Sequence, residues 1–156
     1  MVSLNFVGDI GLFREYQSKR IDPFAEITLP DSDFCVGNFE FIIPNNRTKY
    51  FFDTQEDYAI DYEYFKSLNI RRFNAFGLAN NHCMDYGREG VEDLIRVFED
   101  QEINYFGVGK NDFNILKLSI QGITFALLGC VKRGRWSKSP QRPFGPDTYD
   151  PEGIIR

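Results

Sequence analysis

Apolar residues run along this chain in two alternating rhythms: short unbroken runs and spacings of three to four residues. Leu4 to Val7 reads as a first strand, with Gly8-Asp9-Ile10-Gly11 as the turn at its carboxyl end. Arg14 to Arg20 is polar and reads as a short helix or loop, and Ile21 to Leu29 as a helix candidate closed by Pro30. Asp33 to Gly37 forms a second apolar strand ending in Asn38-Phe39-Glu40. Phe41-Ile42-Ile43-Pro44 then leads into a polar turn at Asn45-Asn46-Arg47 and an aromatic strand at Tyr50-Phe51-Phe52.

From Asp57 to Asn69, Ala59, Ile60, Tyr64, Phe65 and Leu68 are spaced as on an amphipathic helix. Arg72 to Leu78 is a third strand. Glu89 to Glu102 is a helix with Val91, Leu94, Ile95 and Phe98 on one face. Ile103 to Phe106 is a fourth strand, and Gly107 to Asn111 a loop. Leu116 to Ile120 and Ile123 to Leu128 predict a hairpin about Gln121-Gly122. Lys132 to Pro143 is a basic loop, and Asp147 to Arg156 reads as the approach to another helix. Strands alternating with helices predict an α/β fold, a layered domain with a largely parallel sheet flanked by helices.

The 156 residues suit one domain. Sixteen Phe and eight Tyr predict a ring-rich core or groove. A net charge of −5 argues against nucleic acid as a partner, since such surfaces are basic. The chain opens directly into a strand, without a basic leader or an apolar run of membrane-spanning length, which predicts a soluble, cytoplasmic protein. The three cysteines include no Cys-x-x-Cys pair; Cys35 and Cys130 read as small buried hydrophobes in apolar strands, and Cys83 as a packing residue beside a polar run.

That polar run, Gly77-Leu78-Ala79-Asn80-Asn81-His82-Cys83-Met84-Asp85-Tyr86-Gly87, holds the chain's single histidine. Three strand ends therefore present polar chemistry: Asp9 at the first, Asn38 and Glu40 at the second, and Asn80, Asn81, His82 and Asp85 at the third. Parallel strands bring their carboxyl ends to one edge, so the three segments converge on one crevice. Oxygen donors with one imidazole suit Mn²⁺, Mg²⁺, Zn²⁺ or Fe, and such an ion activates water and polarises a phosphoryl or acyl group. Each element alone has a structural alternative, because Gly-Asp and Asn-Asn also make turns and helix caps.

Three of these segments resemble the bacterial CapA family of capsule and poly-γ-glutamate synthesis. They are Val7-Gly8-Asp9-Ile10-Gly11-Leu12, Val36-Gly37-Asn38-Phe39-Glu40 and Leu78 to Gly90. The resemblance covers nearly the whole chain and implies the first part of a calcineurin-like metallophosphatase fold, with the family's carboxyl-terminal half missing. It implies Asp9 as a metal ligand, Glu40 or Asn38 near the bridging ligand, and Asn81 as the ligand asparagine. It implies His82 as the histidine that stabilises the transition state or protonates the leaving group, and Asp85 as the residue orienting it. The sequence departs from that pattern: Gly11 stands where metallophosphatases place a histidine, Asn38 carries no charge at the bridging position, and the family's later histidine motifs are absent.

The resemblance implies a part in making, exporting or anchoring an anionic capsule or exopolymer, with phosphoesterase-type, divalent-metal-dependent hydrolysis as the associated chemistry, and it allows a role at the cell envelope. The alternatives are a non-catalytic binding or assembly module, joined to a second copy or a partner chain, and a piece of a longer metal-dependent phosphoesterase. Arg133, Arg135, Lys138 and Arg142 around Trp136 read either as an anionic-polymer contact or as a solvated loop. Gly107-Val108-Gly109-Lys110 lacks the P-loop spacing.

Overall fold

Four parallel strands carry the architecture. In the computed structural model, which describes residues 1–47, 57–109, 114–132, 145–146 and 148–149, β1 (Leu4–Ile10), β2 (Phe34–Phe39), β3 (Ala75–Gly77) and β4 (Asn104–Phe106) lie side by side in that order. Every neighbouring pair is parallel, so the carboxyl ends of all four strands face one edge. The helices are α1 (Glu15–Lys19), α2 (Tyr62–Ser67) and α3 (Gly87–Asp100). The fold is α/β, as the alternation of apolar runs and helical spacings predicts.

The register sorts the sheet's side chains onto two faces. Cys35, Phe39 and Phe76 face a large core with Tyr64 and Phe65 of α2 and Val91, Leu94 and Phe98 of α3. Phe39 is its hub: its ring centroid lies 4.0 Å from that of Phe41, 5.0 Å from Phe98 and 5.4 Å from Phe76. Val36, Ala75 and Phe106 occupy the opposite face, where Leu116 and Leu127 of a hairpin pack against them. That hairpin joins β6 (Leu116–Ile120) to β7 (Ile123–Leu127). Gln121 (φ 50°) and Gly122 (φ 78°) form its turn, the two consecutive left-handed positions that a two-residue hairpin loop demands. Three short pairings complete the described strands. β5 (Val108–Gly109) pairs with β9 (Gly145–Pro146), and β8 (Val131–Lys132) with β10 (Thr148–Tyr149); Ile42 bridges to Ala59.

Several boundaries differ from the sequence expectation for physical reasons. β1 does not turn at Gly8-Asp9 but runs on to Ile10, its register shifting between Phe6 and Asp9 so that Asp9 pairs with Asn38. Ile21 to Leu29 is not helical: Pro23 interrupts it, and Asp22 accepts the backbone N–H of Phe24 at 2.9 Å and of Asn69 at 3.1 Å. The helix expected from Asp57 begins only at Tyr62, because Asp61 caps it by accepting from the Tyr64 N–H at 2.8 Å. A 3₁₀ turn over Ile70–Arg72 shortens the third strand. α3 matches the expected face, and Gly87 (φ 65°) supplies the left-handed step that enters it.

Cys35 and Cys83 are buried, but Cys130 is exposed, because it lies in irregular chain after the hairpin instead of within a strand. The expected loop over Gly107 to Asn111 contains β5, and the segment expected to lead into another helix contains β10. The aromatic strand at Tyr50 to Phe52, Lys110 and Asn111, and the basic segment around Trp136 fall outside the described residues. Among the described residues no helix is long and apolar enough to cross a membrane.

Replacing Phe39 by Ala removes the ring shared by both helices and the sheet. Chemical denaturation is expected to show a loss of about 3–5 kcal/mol; a loss below about 1 kcal/mol would mean that Phe39 is not the hub of the core.

Candidate functional site

The carboxyl-end edge of the sheet gathers most of the polar residues singled out in the sequence. On neighbouring strands, Asp9 and Asn38 are register partners, and the Asn38 Nδ2 donates to Asp9 Oδ1 at 2.6 Å. Glu40 follows directly after β2, its backbone N–H donating to the Ile10 carbonyl at 3.1 Å. Burial pushes the Glu40 carboxyl above the ordinary glutamate range; the nearby Asp9 carboxylate and, more weakly, Asp85 add to that shift, while His82 opposes it. Asp9, Glu40, His82 and Asp85 therefore share one electrostatic neighbourhood.

The segment after β3 folds back on itself around Asn80. This buried amide donates from Nδ2 to the Phe39 carbonyl at 2.9 Å and accepts the His82 backbone N–H on Oδ1 at 3.0 Å. It ties the end of β2 to the turn that carries the histidine. Three residues on, the Asp85 Oδ2 lies 2.8 Å from His82 Nδ1, with the two side chains 6% and 12% exposed. An ionised carboxylate only accepts, so Nδ1–H donates and Nε2 is left as the nitrogen that can exchange a proton with a ligand. Cys83 packs into the core, and burial pushes its thiol up to about 12, so it remains a protonated hydrophobe.

Tyr58 completes the surroundings of the histidine: its ring stacks on the imidazole with centroids 3.5 Å apart and planes 7° from parallel. Nothing in the sequence signals this contact, because Tyr58 sits 24 positions before His82 on an unrelated segment. The structural weight of Asn80 is equally hidden, since Asn-Asn reads as a simple turn or cap. Asn81, by contrast, is exposed, one residue beyond the Asn80 staple.

The donors suit a hard or borderline divalent cation in type, but they are not grouped as a complete ligand set. The Asp9 oxygen is already engaged by Asn38, and among the described residues no three His, Cys, Asp or Glu side chains come together as metal ligands. Asp9, Asn38, Glu40 and Asn81 are at most a partial set for Mn²⁺, Mg²⁺, Zn²⁺ or Fe. His82, Asp85 and Glu40 are side chains at this edge able to hold a proton.

Comparison with known proteins identifies a family. Residues 3–152 match the family described as bacterial capsule synthesis protein PGA_cap. The chain is 28% identical over 144 residues to the capsule biosynthesis protein CapA of Bacillus anthracis, covering 82% of this chain and 34% of that protein. It is 29% identical over 167 residues to the PGA biosynthesis protein CapA of Bacillus subtilis, covering 99% of this chain and 44% of that protein. An uncharacterized protein of Sinorhizobium fredii, y4sH, is 33% identical over 113 residues, 67% of this chain and 24% of its own length. The chain thus spans less than half the length of these relatives.

Two outcomes test this geometry. Because Glu40 has a higher pKa folded than unfolded, its contribution to stability is fully present below the unfolded value and is lost as pH rises through the folded one. Glu40→Gln is accordingly expected to raise the Tm at neutral pH, with the gain disappearing as the pH falls below the ordinary glutamate range. Asn80→Ala leaves the Phe39 carbonyl and the His82 N–H without their partner, and equilibrium unfolding should show a loss of about 1–3 kcal/mol.

Proposed function

The chain belongs to the bacterial capsule synthesis protein (PGA_cap) family, and on that premise we propose that it takes part in making an anionic capsule polymer of the poly-γ-glutamate type, with the cleft around His82 as its working site. One observation carries this reading: the His82–Asp85 pair lies at the carboxyl-end edge of the parallel sheet, in the same neighbourhood as Asp9 and Glu40. His82 Nε2 acts as the proton donor or acceptor for a phosphoester or similar group of the polymer or its precursor. Asp85 holds the tautomer that leaves Nε2 available and stabilises the imidazolium when it forms. Glu40, with its proton affinity raised, is a second group able to hold a proton beside the same ligand. A bound divalent ion would add polarisation of the reacting oxygen, with Asp9, Glu40, Asn81 and Asn38 as this chain's contribution to holding it.

A second reading, a binding or assembly module without turnover, is favoured by the lack of three grouped metal-ligating side chains among the described residues. The two readings part at His82. In a strain lacking this gene, wild-type protein should restore cell-surface polymer, His82→Ala should reduce it by about tenfold or more, and Asp85→Asn by a smaller factor. Full restoration by a stably expressed His82→Ala variant would overturn the acid–base reading and leave the binding module.

A further inference from the structure

We infer that Tyr58 is a positioning residue of this cleft, covering one face of the His82 imidazole so that, with Asp85 holding Nδ1, the ring is fixed from two directions. The inference rests on the reading of His82 as the working group. The stack is close and nearly parallel, with centroids 3.5 Å apart and planes at 7°, the separation at which ring faces are in full van der Waals contact. A hydrogen bond to Nδ1 alone leaves the imidazole free to rock about the bond axis. A ring laid against its face removes that freedom while leaving the in-plane approach to Nε2 clear of Tyr58.

Tyr58 is itself held by contacts on both sides, which distinguishes a built feature from a chance approach. Its carbonyl accepts the Ile42 N–H at 2.7 Å. The preceding residue, Asp57, accepts from the Ala59 N–H at 3.0 Å and from the Tyr86 hydroxyl through its carboxylate, and from Gln17 Nε2 at 2.7 Å through its carbonyl. The same Gln17 amide donates to the Leu12 carbonyl at 2.7 Å, locking the segment that carries Phe13 beside the one that carries Tyr58. Phe13 meets the Tyr58 ring edge-on, its centroid 4.8 Å away at 75°. Tyr58 thus touches rings from two segments distant in the chain, Phe13 by an edge contact and His82 by a stack.

The single histidine makes the test direct, because the imidazole signals of the protein need no assignment. In metal-free wild-type protein at mildly alkaline pH, nuclear Overhauser contacts between the Tyr58 ring and the His82 ring protons are expected, together with upfield-shifted imidazole protons and one dominant tautomer with the proton on Nδ1. Tyr58→Phe should keep all three. Tyr58→Leu should move the imidazole protons downfield and mix the tautomers while far-UV circular dichroism stays unchanged. In the complementation assay Tyr58→Leu should lower polymer about tenfold and Tyr58→Phe should not. Absence of the Overhauser contacts in wild type, or an unaltered tautomer in folded Tyr58→Leu, would overturn the inference. Tautomer mixing in Tyr58→Leu beside a fully functional His82→Ala would sustain the positioning and overturn only the reading of His82 as the acid–base group.

Discussion

The buried side chain of Asn80 is the constraint on which the geometry around His82 depends. The two ends of that amide serve different masters: Nδ2 satisfies the Phe39 carbonyl at the end of β2, and Oδ1 satisfies the His82 N–H one strand further on. The bond to the Phe39 carbonyl is buried, so the amide that satisfies it is held in one orientation. Fixing it there sets the turn from Asn80 to Tyr86, and the turn sets where the imidazole and Asp85 point. Phe39 links this polar staple to the core, since the residue whose carbonyl is capped also carries the central ring of the aromatic cluster. Packing and site geometry are thus two sides of one residue.

Much of this was legible in the sequence, and the boundary of legibility has a physical cause. Local signals were reliable: Val91, Leu94 and Phe98 mark the buried face of α3, and Gln121-Gly122 marks the turn of a hairpin. The apolar runs ending in Asp9, Asn38 and the His82 segment point to parallel strands with polar ends, and the sheet brings those ends to one edge. What failed to show was set by long-range partners. Asp22 is recruited by Asn69 and so diverts a segment expected to be helical; Asp61 starts α2 later than the apolar spacing suggests. Tyr58 and Asn80 belong to the same class. Their residue types are ordinary for turns and loops, and only tertiary geometry gives them a role.

Negative charge makes the carboxyl-end edge of the sheet an unusual place for the polyanion proposed as ligand. Asp9, Glu40 and Asp85 share it, and the shifted proton affinity of Glu40 registers both its burial and the repulsion from its neighbours. An anionic chain approaching these groups is repelled unless charge is neutralised, which a proton on Glu40, a proton on His82 or a divalent cation accomplishes. Under the proposed function, proton and cation occupancy act on the binding of such a chain.

The most direct measurement is the response of the one histidine to a ligand of the proposed kind. Imidazole ring signals of the wild-type protein would be followed while a short γ-linked glutamate oligomer, and separately inorganic phosphate, is titrated in the presence of Mg²⁺. If the ends of β1, β2 and β3 form the working cleft, the His82 signals shift saturably with at least one of the two anions, and the Asp9 and Glu40 backbone amides move at the same concentrations. Signals of His82, Asp9 and Glu40 that stay fixed while amides elsewhere in the protein respond would contradict the account.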